Sequence, residues 1–375
     1  MRVTQLIDSM GPGGGQRQIV LLAEGLRDRG WQVQLAWYNP TAHFFEPPPG
    51  VTALQLPRNG RRDPRFAWQL AKLVSRKNTD LVHAWLGAPS LYAALAGRLP
   101  GAAPVVAGVL CSPSAFGPLP SEGHAYRVAA HLATHVTANS QPGLQWLQHL
   151  RVPEPRRTFI GNVVDPRLVH RVPSTVAQRT ALLGSLGLDP ARPPIVCLGR
   201  FDPFKNQDGL LRAVLQLRDA GVVVPPVLMA GFLEDQDRVA KVRAMAAAAQ
   251  FTDLHIVPAV KDVPTLLEAA RFSVLASHSE GLPNVVLEAM ALGTVMVATA
   301  VGEVPWLVQD SVTGLVCPPG DDAALAGALR RALDLPAERA VAMGIAARAQ
   351  ILDVCSEQRV VGALDGLYRR VLGIR

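Results

Sequence analysis

The sequence predicts an α/β protein with two doubly wound domains, each a parallel sheet covered by helices. Three observations support this fold class. Short apolar segments of strand length alternate with longer amphipathic segments along most of the chain. The chain has 375 residues, more than the ~250–300 at which a single hydrophobic core stops growing. A proline-rich stretch, residues 165–194, separates two such alternating sets.

In the first set, apolar runs predict the strands and 3.6-residue periodicity predicts the helices. We expect strands at residues 3–7, 32–37, 81–84, 105–109, 135–138 and 159–162. We expect helices at residues 17–29, 66–75, 89–98 and 141–150. Alternation of this kind indicates a parallel sheet wrapped by helices.

The second set repeats the pattern. We expect strands at residues 195–198, 227–230, 254–257, 273–275 and 295–299. We expect helices at residues 206–220, 237–250, 263–270, 285–292 and 321–333, and a last helix at 356–372. The prolines between the two sets predict a first domain at 1–165, a linker and hinge at 166–193, and a second domain at 194–355.

The composition is that of a globular protein, with 49% hydrophobic and 18% charged residues. The longest apolar run, 222–233, contains two prolines and is shorter than the ~20 residues of a membrane-spanning helix. The N-terminus is typical of a first strand and not of a signal peptide, so we expect a cytoplasmic protein. Cys111, Cys197, Cys317 and Cys355 are widely spaced, which predicts reduced, buried thiols.

The net charge of +7 is unevenly distributed. Residues 1–165 hold 16 Lys and Arg against 9 Asp and Glu, whereas residues 166–375 hold 21 against 21. A basic half in an otherwise neutral chain favours contact with an anionic surface, such as an acidic membrane leaflet or a phospholipid-linked substrate. The alternative is a basic surface that is only solvated. We expect no nucleic-acid partner.

The segment from Glu280 to Glu288 carries the most specific signal. Pro283 suits the first position of a helix, so Glu280 precedes that helix and Glu288 lies more than a turn inside it. The two carboxylates are therefore separated along the axis, which disfavours a glycosidase-type pair. Backbone N–H groups at the positive end of the helix dipole can seat a phosphate. The predicted donor contacts here are Gly281, Leu282, Pro283, Asn284, Val285 and Glu288.

Two cations follow the first strand of the second set. Arg200 and Lys205 lie between the predicted strand 195–198 and the predicted helix 206–220. The carboxyl ends of strands in α/β sheets are where ligands bind, and two cations there can hold a diphosphate. Together with the carboxylates at Glu280 and Glu288, they predict a site for a nucleotide sugar. The alternative is an ordinary surface loop.

A glycine-rich loop, residues 11–16, follows the first strand and precedes a helix. Its glycines, including Gly13 and Gly14, let the backbone approach a ligand without interference from Cβ atoms. The spacing fails the G-x-G-x-x-G dinucleotide pattern, because Gln16 and Gln18 stand where glycines are needed. The alternative is a plain turn.

These motifs resemble a known family. The pattern E-G-x-P-x-x-x-x-E from Glu280 to Glu288, the earlier Arg200 and Lys205, and the N-terminal glycine loop resemble the retaining nucleotide-sugar glycosyltransferases of family 4, also called glycosyl transferases group 1. The resemblance covers nearly the whole chain and is most specific in the second half. It implies the GT-B fold, in which two Rossmann-like domains face each other across a cleft. It also implies that the last helix, 356–375, packs back on the first domain.

The resemblance implies roles for these residues. Arg200 and Lys205 would bind the donor diphosphate and neutralise the departing nucleotide, Glu288 would hold the ribose hydroxyls, and Glu280 would approach hydroxyls of the transferred sugar. Gly13 and Gly14 would contact the donor diphosphate or the acceptor. The donor would be a nucleotide-linked sugar, UDP- or GDP-linked, with no other cofactor. The acceptor would be a saccharide or a lipid-linked saccharide of the cell envelope.

His83 is a further catalytic candidate. It ends a predicted strand, where the family often has the pattern H-x-H, but here Trp85 replaces the second histidine. The structural alternative is a hydrogen-bonded core histidine. Two other departures from the family pattern are Glu303 in 302–306 and Val163 in 161–165, where the family usually has glycine.

We expect no metal site. Asp235 and Asp237 match the D-x-D pattern of metal-dependent transferases, but acids favoured in the first turn of a helix explain them better. Three alternative functions remain at this stage. They are a GT-B nucleotide-sugar epimerase, a sugar- or lipid-binding module without turnover, and, disfavoured by the glycine spacing, a nicotinamide-dependent dehydrogenase.

Overall fold

The computed structural model describes residues 1–39, 44–60, 63–110 and 120–374. The chain divides into two compact units. Unit 1 contains Met1–Val163 and the segment from Cys355 onward, and unit 2 contains Val164–Val354. Each unit is built on one parallel sheet.

Unit 1 has a seven-stranded parallel sheet with the strand order β3-β2-β1-β4-β5-β6-β7. Its strands are β1 Arg2–Leu6, β2 Gln32–Trp37, β3 Thr52–Gln55, β4 Leu81–Trp85, β5 Val105–Val109, β6 His135–Ala138 and β7 Arg157–Phe159. Its helices before the C-terminal segment are α1 Gly14–Asp28, α2 Pro64–Leu73, α3 Gly87–Ala96, α4 Pro120–Leu132 and α5 Gln141–His149. Central strands such as β4 and β5 are buried along their whole length, which explains their apolar sequences, interrupted in β4 only by His83.

Unit 2 has a six-stranded parallel sheet with the order β10-β9-β8-β11-β12-β13. Its strands are β8 Ile195–Leu198, β9 Val227–Gly231, β10 Leu254–Pro258, β11 Phe272–Leu275, β12 Met296–Thr299 and β13 Leu315–Cys317. Its helices are α6 Pro166–Val169, α7 Val176–Ser185, α8 Gln207–Asp219, α9 Gln236–Ala248, α10 Val263–Ala269, α11 Asn284–Ala291, α12 Val304–Leu307, α13 Asp322–Leu333 and α14 Ala337–Val354.

The order of the strands locates the ligand-binding edge of each sheet. In unit 1 the chain builds outward from β1 to β3, then crosses to β4 on the other side of β1. In unit 2 it builds outward from β8 to β10, then crosses to β11 on the other side of β8. Open α/β sheets bind ligands outside the carboxyl ends of the strands at such a reversal. The two reversal points are therefore β1/β4 and β8/β11.

The C-terminal helix, α15 Glu357–Leu372, belongs to unit 1. It packs against α1, where a Cβ on Gly25 would come within 2.7 Å of a methyl group of Val361. Trp31 donates from Nε1 to Asp365 at 2.8 Å, and Gln5 donates to the Tyr368 hydroxyl at 3.1 Å. Burial of the apolar faces of α1 and α15 on the same side of the sheet explains the amphipathic sequence of both helices.

The segment predicted as a linker and hinge, 166–193, is grouped with unit 2. It forms α6 and α7, and Ser174 between them donates its N–H to Glu268 at 2.8 Å and shares a 2.7 Å hydrogen bond with the Thr265 hydroxyl. Thr175 caps α7 in a capping box. Pro166 begins α6, and the other prolines of the segment lie in the loops before and after α7.

Burial raises the pKa of the Cys197 thiol to about 12 and that of Cys317 to about 11. Cys355 is also buried, and Cys111 lies outside the described residues. In the part of the chain that the structure describes, no helix is long and apolar enough to cross a membrane.

Candidate functional site

The loop after β8 is fixed by its neighbours. Asn206 has left-handed backbone angles (φ 54°), and its side chain accepts from the N–H of Gly209 at 3.2 Å, which caps α8. Its Nδ2 donates to the carbonyl oxygen of Ala276 at the end of β11, at 3.2 Å. Gly231, at the end of β9, lies against the carbonyl oxygen of Gly199, where any Cβ would overlap. The loop that carries the two predicted cations is therefore held by both neighbouring strands.

Lys205 and Glu280 meet at the reversal point of the second sheet. The Lys205 Nζ lies 2.7 Å from Oε1 of Glu280, and the two side chains are 23% and 12% exposed. Lys205 follows β8 and Glu280 follows β11, so the ion pair spans the carboxyl ends of adjacent strands. The sequence placed both residues at a ligand site from separate motifs, and the structure brings them together.

Ser277 is a site residue that the sequence analysis missed. Its hydroxyl donates to the same Oε1 of Glu280 at 2.6 Å, so two donors hold one carboxylate oxygen. The Ser277 carbonyl oxygen in turn accepts from the hydroxyl of Thr299 at 2.7 Å, at the end of β12. The signal was the S-x-x-E spacing directly after a buried strand. Glu280 is thus oriented by groups from three neighbouring strands.

Arg200 lies in the same loop but faces solvent. Its side chain is 58% exposed, and the nearest carboxylate, Asp202, is 3.4 Å from its Nη2. Its carbonyl oxygen accepts from Gln207 at 2.7 Å, which fixes the backbone but leaves the guanidinium accessible. An exposed surface ion pair of this kind contributes little to stability. The Arg200 side chain can therefore reorient toward an anionic ligand with little loss of stabilising free energy.

Helix α11 begins at Asn284, one residue before the predicted range 285–292 and one residue after Pro283. Pro283 is the N-cap, with φ −76° and ψ 119°, and not the first helical residue. Its carbonyl oxygen accepts from Val286 at 3.2 Å, which closes the first turn. The start of the helix lies beside Glu280, as predicted. Of the other predicted donor contacts, Leu282 is buried, and Asn284 and Val285 are partly buried.

The turn before α11 is supported by the segment after β12. Gly281 accepts from the N–H of Glu303 at 2.9 Å. Gly302 has φ 54° and lies so close to the carbonyl oxygen of Gly281 that a Cβ there would overlap it. Glycine is therefore required at 302, both for its backbone angle and for this close approach. Glu303, where the family pattern departs, contributes its backbone N–H here.

Glu288 is the fifth residue of α11 and is partly buried. Five residues separate it from Pro283, which corresponds to ~7.5 Å along the helix axis. The carboxylates of Glu280 and Glu288 therefore lie at different heights along the helix axis, one before the helix start and one inside the helix, as the sequence predicted. A site with a cation, a helix start and two separated carboxylates can bind a diphosphate together with hydroxylated rings.

The glycine loop of unit 1 lies at the other reversal point, after β1. Gly13 is the N-cap of α1 with extended backbone angles, and Gly14 is exposed in the first turn. The Asp8 carboxylate accepts from the N–H of Ser9 at 2.7 Å and from Gln16 at 3.4 Å. Burial raises the pKa of Asp8, and the hydrogen bonds from Ser9 oppose that effect. The loop presents backbone and one carboxylate at the ligand-binding edge of unit 1.

The sequence analysis expected His83 at the end of a strand. In the structure it is in the middle of β4. Its ring is fully buried, with Nδ1 2.7 Å from the Tyr368 hydroxyl and Nε2 3.1 Å from the Thr137 hydroxyl. It stacks on Trp85 with ring centroids 3.7 Å apart. Burial, and to a lesser extent His135, hold its pKa well below the ordinary value. These contacts favour the structural alternative; a catalytic role for His83 stays a prediction.

Asp235 and Asp237 lie at the N-terminus of α9, where the sequence predicted acids favoured by a helix start. Asp235 is the N-cap and accepts from the N–H of Arg238 at 3.0 Å, and Asp237 lies in the first turn. Within the described ranges, no three His, Cys, Asp or Glu side chains lie close enough together to hold a metal ion.

Comparison with known proteins gives consistent matches. Residues 178–350 match the family model described as Glycosyl transferases group 1, and residues 12–168 match the model described as Glycosyltransferase Family 4. A D-inositol 3-phosphate glycosyltransferase of Mycolicibacterium paratuberculosis is 33% identical over 197 residues, which is 52% of this chain and 44% of the relative. The match thus covers less than half the length of that relative.

Solved structures resemble the whole chain. The crystal structure of Anabaena HepE in complex with UDP superposes with a TM-score of 0.81 at 20% identity, covering 99% of this chain and 100% of HepE. Sucrose-phosphate synthase from Thermosynechococcus elongatus superposes with a TM-score of 0.82 at 20% identity, covering both chains completely. At this level of identity, the likeness establishes the fold.

Proposed function

The chain belongs to the glycosyl transferases group 1, of the family 4 type, with the GT-B fold predicted from its motifs, and we propose that it transfers a sugar from a nucleotide diphosphate to an acceptor hydroxyl. The observation that supports this best is the Lys205–Glu280 pair at the β8/β11 reversal point, beside the start of α11. A cation beside a helix start suits a diphosphate, and a carboxylate at the same edge of the sheet suits sugar hydroxyls.

The proposed donor site lies in unit 2. Lys205 and Arg200 bind the diphosphate, since one is fixed beside the helix start and the other is exposed in the same loop. Glu288 accepts from the ribose hydroxyls, and Glu280 accepts from hydroxyls of the transferred sugar. The backbone at 281–285 contributes to the phosphate site, and Gly13 and Gly14 of unit 1 stay predicted donor contacts.

The proposed mechanism follows from the charge that develops during transfer. As the bond between the anomeric carbon and the diphosphate lengthens, negative charge grows on the leaving phosphate oxygen. Lys205, Arg200 and the positive end of the α11 dipole stabilise that charge, which lowers the barrier. Among the described residues we identify no carboxylate placed to form a covalent intermediate. We therefore propose that the acceptor attacks from the face that the nucleotide leaves, with retention of configuration and without a metal ion.

Retention and metal independence are tested in one assay. We expect transfer to continue in excess EDTA, because cationic side chains of the protein would stabilise the charge on the leaving phosphate in place of a bound metal ion. We expect the proton spectrum of the product to show the anomeric configuration of the donor. Loss of activity in EDTA that Mg²⁺ restores would contradict metal independence, and an inverted anomeric signal would contradict the same-face mechanism.

The donor class is tested by thermal stability with nucleotides. We expect one nucleoside diphosphate among UDP, GDP and ADP to stabilise the wild type and not the Glu288→Ala variant. A ligand at 100 times its Kd adds ~2.7 kcal/mol to the native state, and Glu288 would supply the ribose contacts. HepE was crystallised with UDP, so UDP is the first choice. Stabilisation by NAD and by no nucleoside diphosphate would overturn the proposed function.

The proposed acceptor is a saccharide or lipid-linked saccharide of the cell envelope, bound by unit 1. The name of the mycobacterial relative, which specifies an inositol phosphate as its substrate, makes a phosphorylated polyol a second acceptor class to test. Incubation of donor with each acceptor class, followed by mass spectrometry of the product, decides between them. A product that is only an epimer of the donor would favour the epimerase alternative.

We also propose that unit 1 binds an anionic membrane from the cytoplasmic side through one surface. That surface, the α2 surface, consists of Trp68, Lys72, Arg76, Lys77 and Leu99. Trp68 is 65% exposed with the Lys72 Nζ 5.5 Å from its ring centre, and Leu99 is 49% exposed. The N–H of Arg76 donates to Gly101 at 3.0 Å, which brings the end of α2 beside the turn after α3. An exposed Trp among cations is typical of interfacial membrane contact.

The membrane proposal predicts binding to vesicles that contain phosphatidylglycerol and none to vesicles of phosphatidylcholine alone. Replacing Trp68 with Ala is expected to weaken sedimentation with the anionic vesicles about tenfold, since burial of the ring is lost. Trp306→Ala is the matched control, because Trp306 is 41% exposed in unit 2. Equal sedimentation of both variants would refute the α2 surface.

A further inference from the structure

We propose that Arg58 binds an anionic group, a phosphate or a carboxylate, of the acceptor, and that three aromatic rings hold its guanidinium ready for this. The inference rests on the proposed function, because it names the chemistry of the acceptor. It adds a residue that the sequence motifs did not single out. The site is called the Arg58 cage and consists of Arg58, Tyr38, Phe66 and Tyr92.

The Arg58 cage lies at the ligand-binding edge of unit 1. Tyr38 directly follows β2, Phe66 is in the first turn of α2, and Tyr92 is in the second turn of α3. These segments all follow the carboxyl ends of strands, the edge at which α/β sheets bind ligands. Arg58 comes from the loop after β3, at the same edge. The cage is therefore on the side of the sheet that also carries the glycine loop.

The guanidinium of Arg58 is fixed in position. Its central carbon is 5.4 Å from the ring centre of Tyr38 and 5.1 Å from those of Phe66 and Tyr92. Nε donates to the Gly60 carbonyl oxygen and Nη2 donates to the Tyr92 hydroxyl, both at 3.1 Å. A planar guanidinium that is stacked and hydrogen-bonded loses little further freedom when it binds an anion.

The three rings also support one another. Their centroids are 5.1, 5.9 and 5.6 Å apart, and each pair is edge to face. Tyr38 is 2% exposed and Phe66 6% exposed, so the floor of the cage belongs to the core. Such pairs contribute beyond their buried area. The cage would therefore keep its shape without Arg58, which allows the residue to be replaced in a test.

The charge of Arg58 is not neutralised within the described residues, where no carboxylate lies at ion-pair distance from it. Its partners are a backbone carbonyl oxygen and a phenol hydroxyl, both uncharged. Arginine is suited to bidentate binding of phosphate or carboxylate, and these bonds are among the strongest in proteins. A guanidinium held at a ligand-binding edge without an acidic partner therefore points to an anionic ligand.

Asp8 supplies a complementary group nearby. The N–H of Tyr38 donates to the Asp8 carbonyl oxygen at 3.2 Å, so the segment that follows β1 adjoins the cage. Its carboxylate is at the same edge of the sheet and can accept from a hydroxyl. A cation and a carboxylate beside one ring suit an acceptor that carries an anionic group next to free hydroxyls.

The test measures binding to the full-length protein by calorimetry with two matched pairs of probes, inositol with D-inositol 3-phosphate and glucose with glucuronate. We expect the charged member of at least one pair to bind the wild type at least about tenfold more tightly than its neutral partner. Arg58→Gln is expected to remove that advantage and leave binding of the neutral partner unchanged. Arg58→Lys keeps the positive charge but loses the planar guanidinium with its two parallel donors. It is expected to retain part of the preference for the charged probe.

Arg65→Gln is the matched control, because Arg65 is an exposed arginine on α2. It is expected to behave as the wild type, and thermal melting confirms that each variant is folded. The inference is overturned if the wild type does not prefer a charged probe in either pair, or if Arg58→Gln keeps the preference. Nucleotide binding at unit 2 is titrated separately. If no nucleotide binds, the proposed function is contradicted. The result for Arg58 is then interpreted independently, as anion binding by unit 1.

Discussion

Replacing Lys205 with alanine is expected to lower kcat for sugar transfer by about 10²–10³-fold. Lys205 is the cation fixed beside the start of α11, with its Nζ 2.7 Å from Glu280. Its removal takes positive charge from the leaving phosphate and one of the two donors from the Glu280 carboxylate. Both losses act at the stage where charge develops, so the effect on kcat exceeds the effect on KM. Steady-state kinetics with a fixed acceptor measure both.

Two further variants separate these effects. Ser277→Ala keeps the cation and removes only the second donor to Glu280, so a smaller loss of about tenfold is expected. Lys241→Ala is the matched lysine control, because Lys241 is a 56% exposed residue of α9 that pairs with Asp208 and takes no part in the contact between Lys205 and Glu280. If Lys205→Ala retains more than a tenth of wild-type kcat, the proposed role of Lys205 in charge stabilisation is wrong.

Much of the fold could be predicted from the sequence, because buried parallel strands have distinctive sequences. The bounds predicted for β2, β5, β6 and β8 agree with the structure. β5 and β8 are continuous apolar runs, whereas β2 and β6 include polar residues among apolar ones. The predicted strand at 159–162 lies two residues too late, because the polar Arg157 and Thr158 begin β7.

The missed elements lack the signals on which sequence analysis depends. β3 is an edge strand with three of its four residues exposed, so it shows no buried face. Helix α14 contains six alanines among its eighteen residues, which weakens the contrast between apolar and polar faces. Its exposed Val341 and Ile345 blur that contrast further. Pairing in the sheet and packing in unit 2 determine these elements, and neither can be read from a local window.

The candidate site was predictable where backbone and motif determine it. Lys205, Glu280 and Glu288 could be placed because a strand end and a helix start fix their positions within a few ångströms. The hydroxyl of Ser277 was missed although its partner, Glu280, is only three residues away. The ring of His83 could not be placed, because its contacts are long-range. His83 is oriented by Tyr368, which is 285 residues away in sequence. Arg58 was missed for the same reason, because its aromatic partners come from three separate segments.

Replacing Gly231 with alanine is expected to destabilise unit 2 by about 3 kcal/mol and to abolish nucleotide binding. A Cβ at this position overlaps the carbonyl oxygen of Gly199, a backbone atom that cannot move without shifting the loop before Arg200. That loop runs alongside β9, with the N–H of Gly199 donating to Ala230 at 3.0 Å and the N–H of Phe201 donating to Phe232 at 2.9 Å. Calorimetric melting should show the unit 2 transition about 6–12 °C lower.

Gly327→Ala is the control that separates sterics from the loss of a glycine. Gly327 lies in α13, and a Cβ added there would meet no atom of a neighbouring segment within 4 Å, so alanine should raise stability by up to about 1 kcal/mol. The two substitutions add the same methyl group to the same unit with opposite expected signs. If Gly231→Ala melts with the wild type and still binds nucleoside diphosphate, the close approach of β9 to Gly199 does not position the donor loop. If it melts lower but still binds, that approach contributes to stability alone, and the geometry of Arg200 and Lys205 depends on Asn206 and its contact with Ala276.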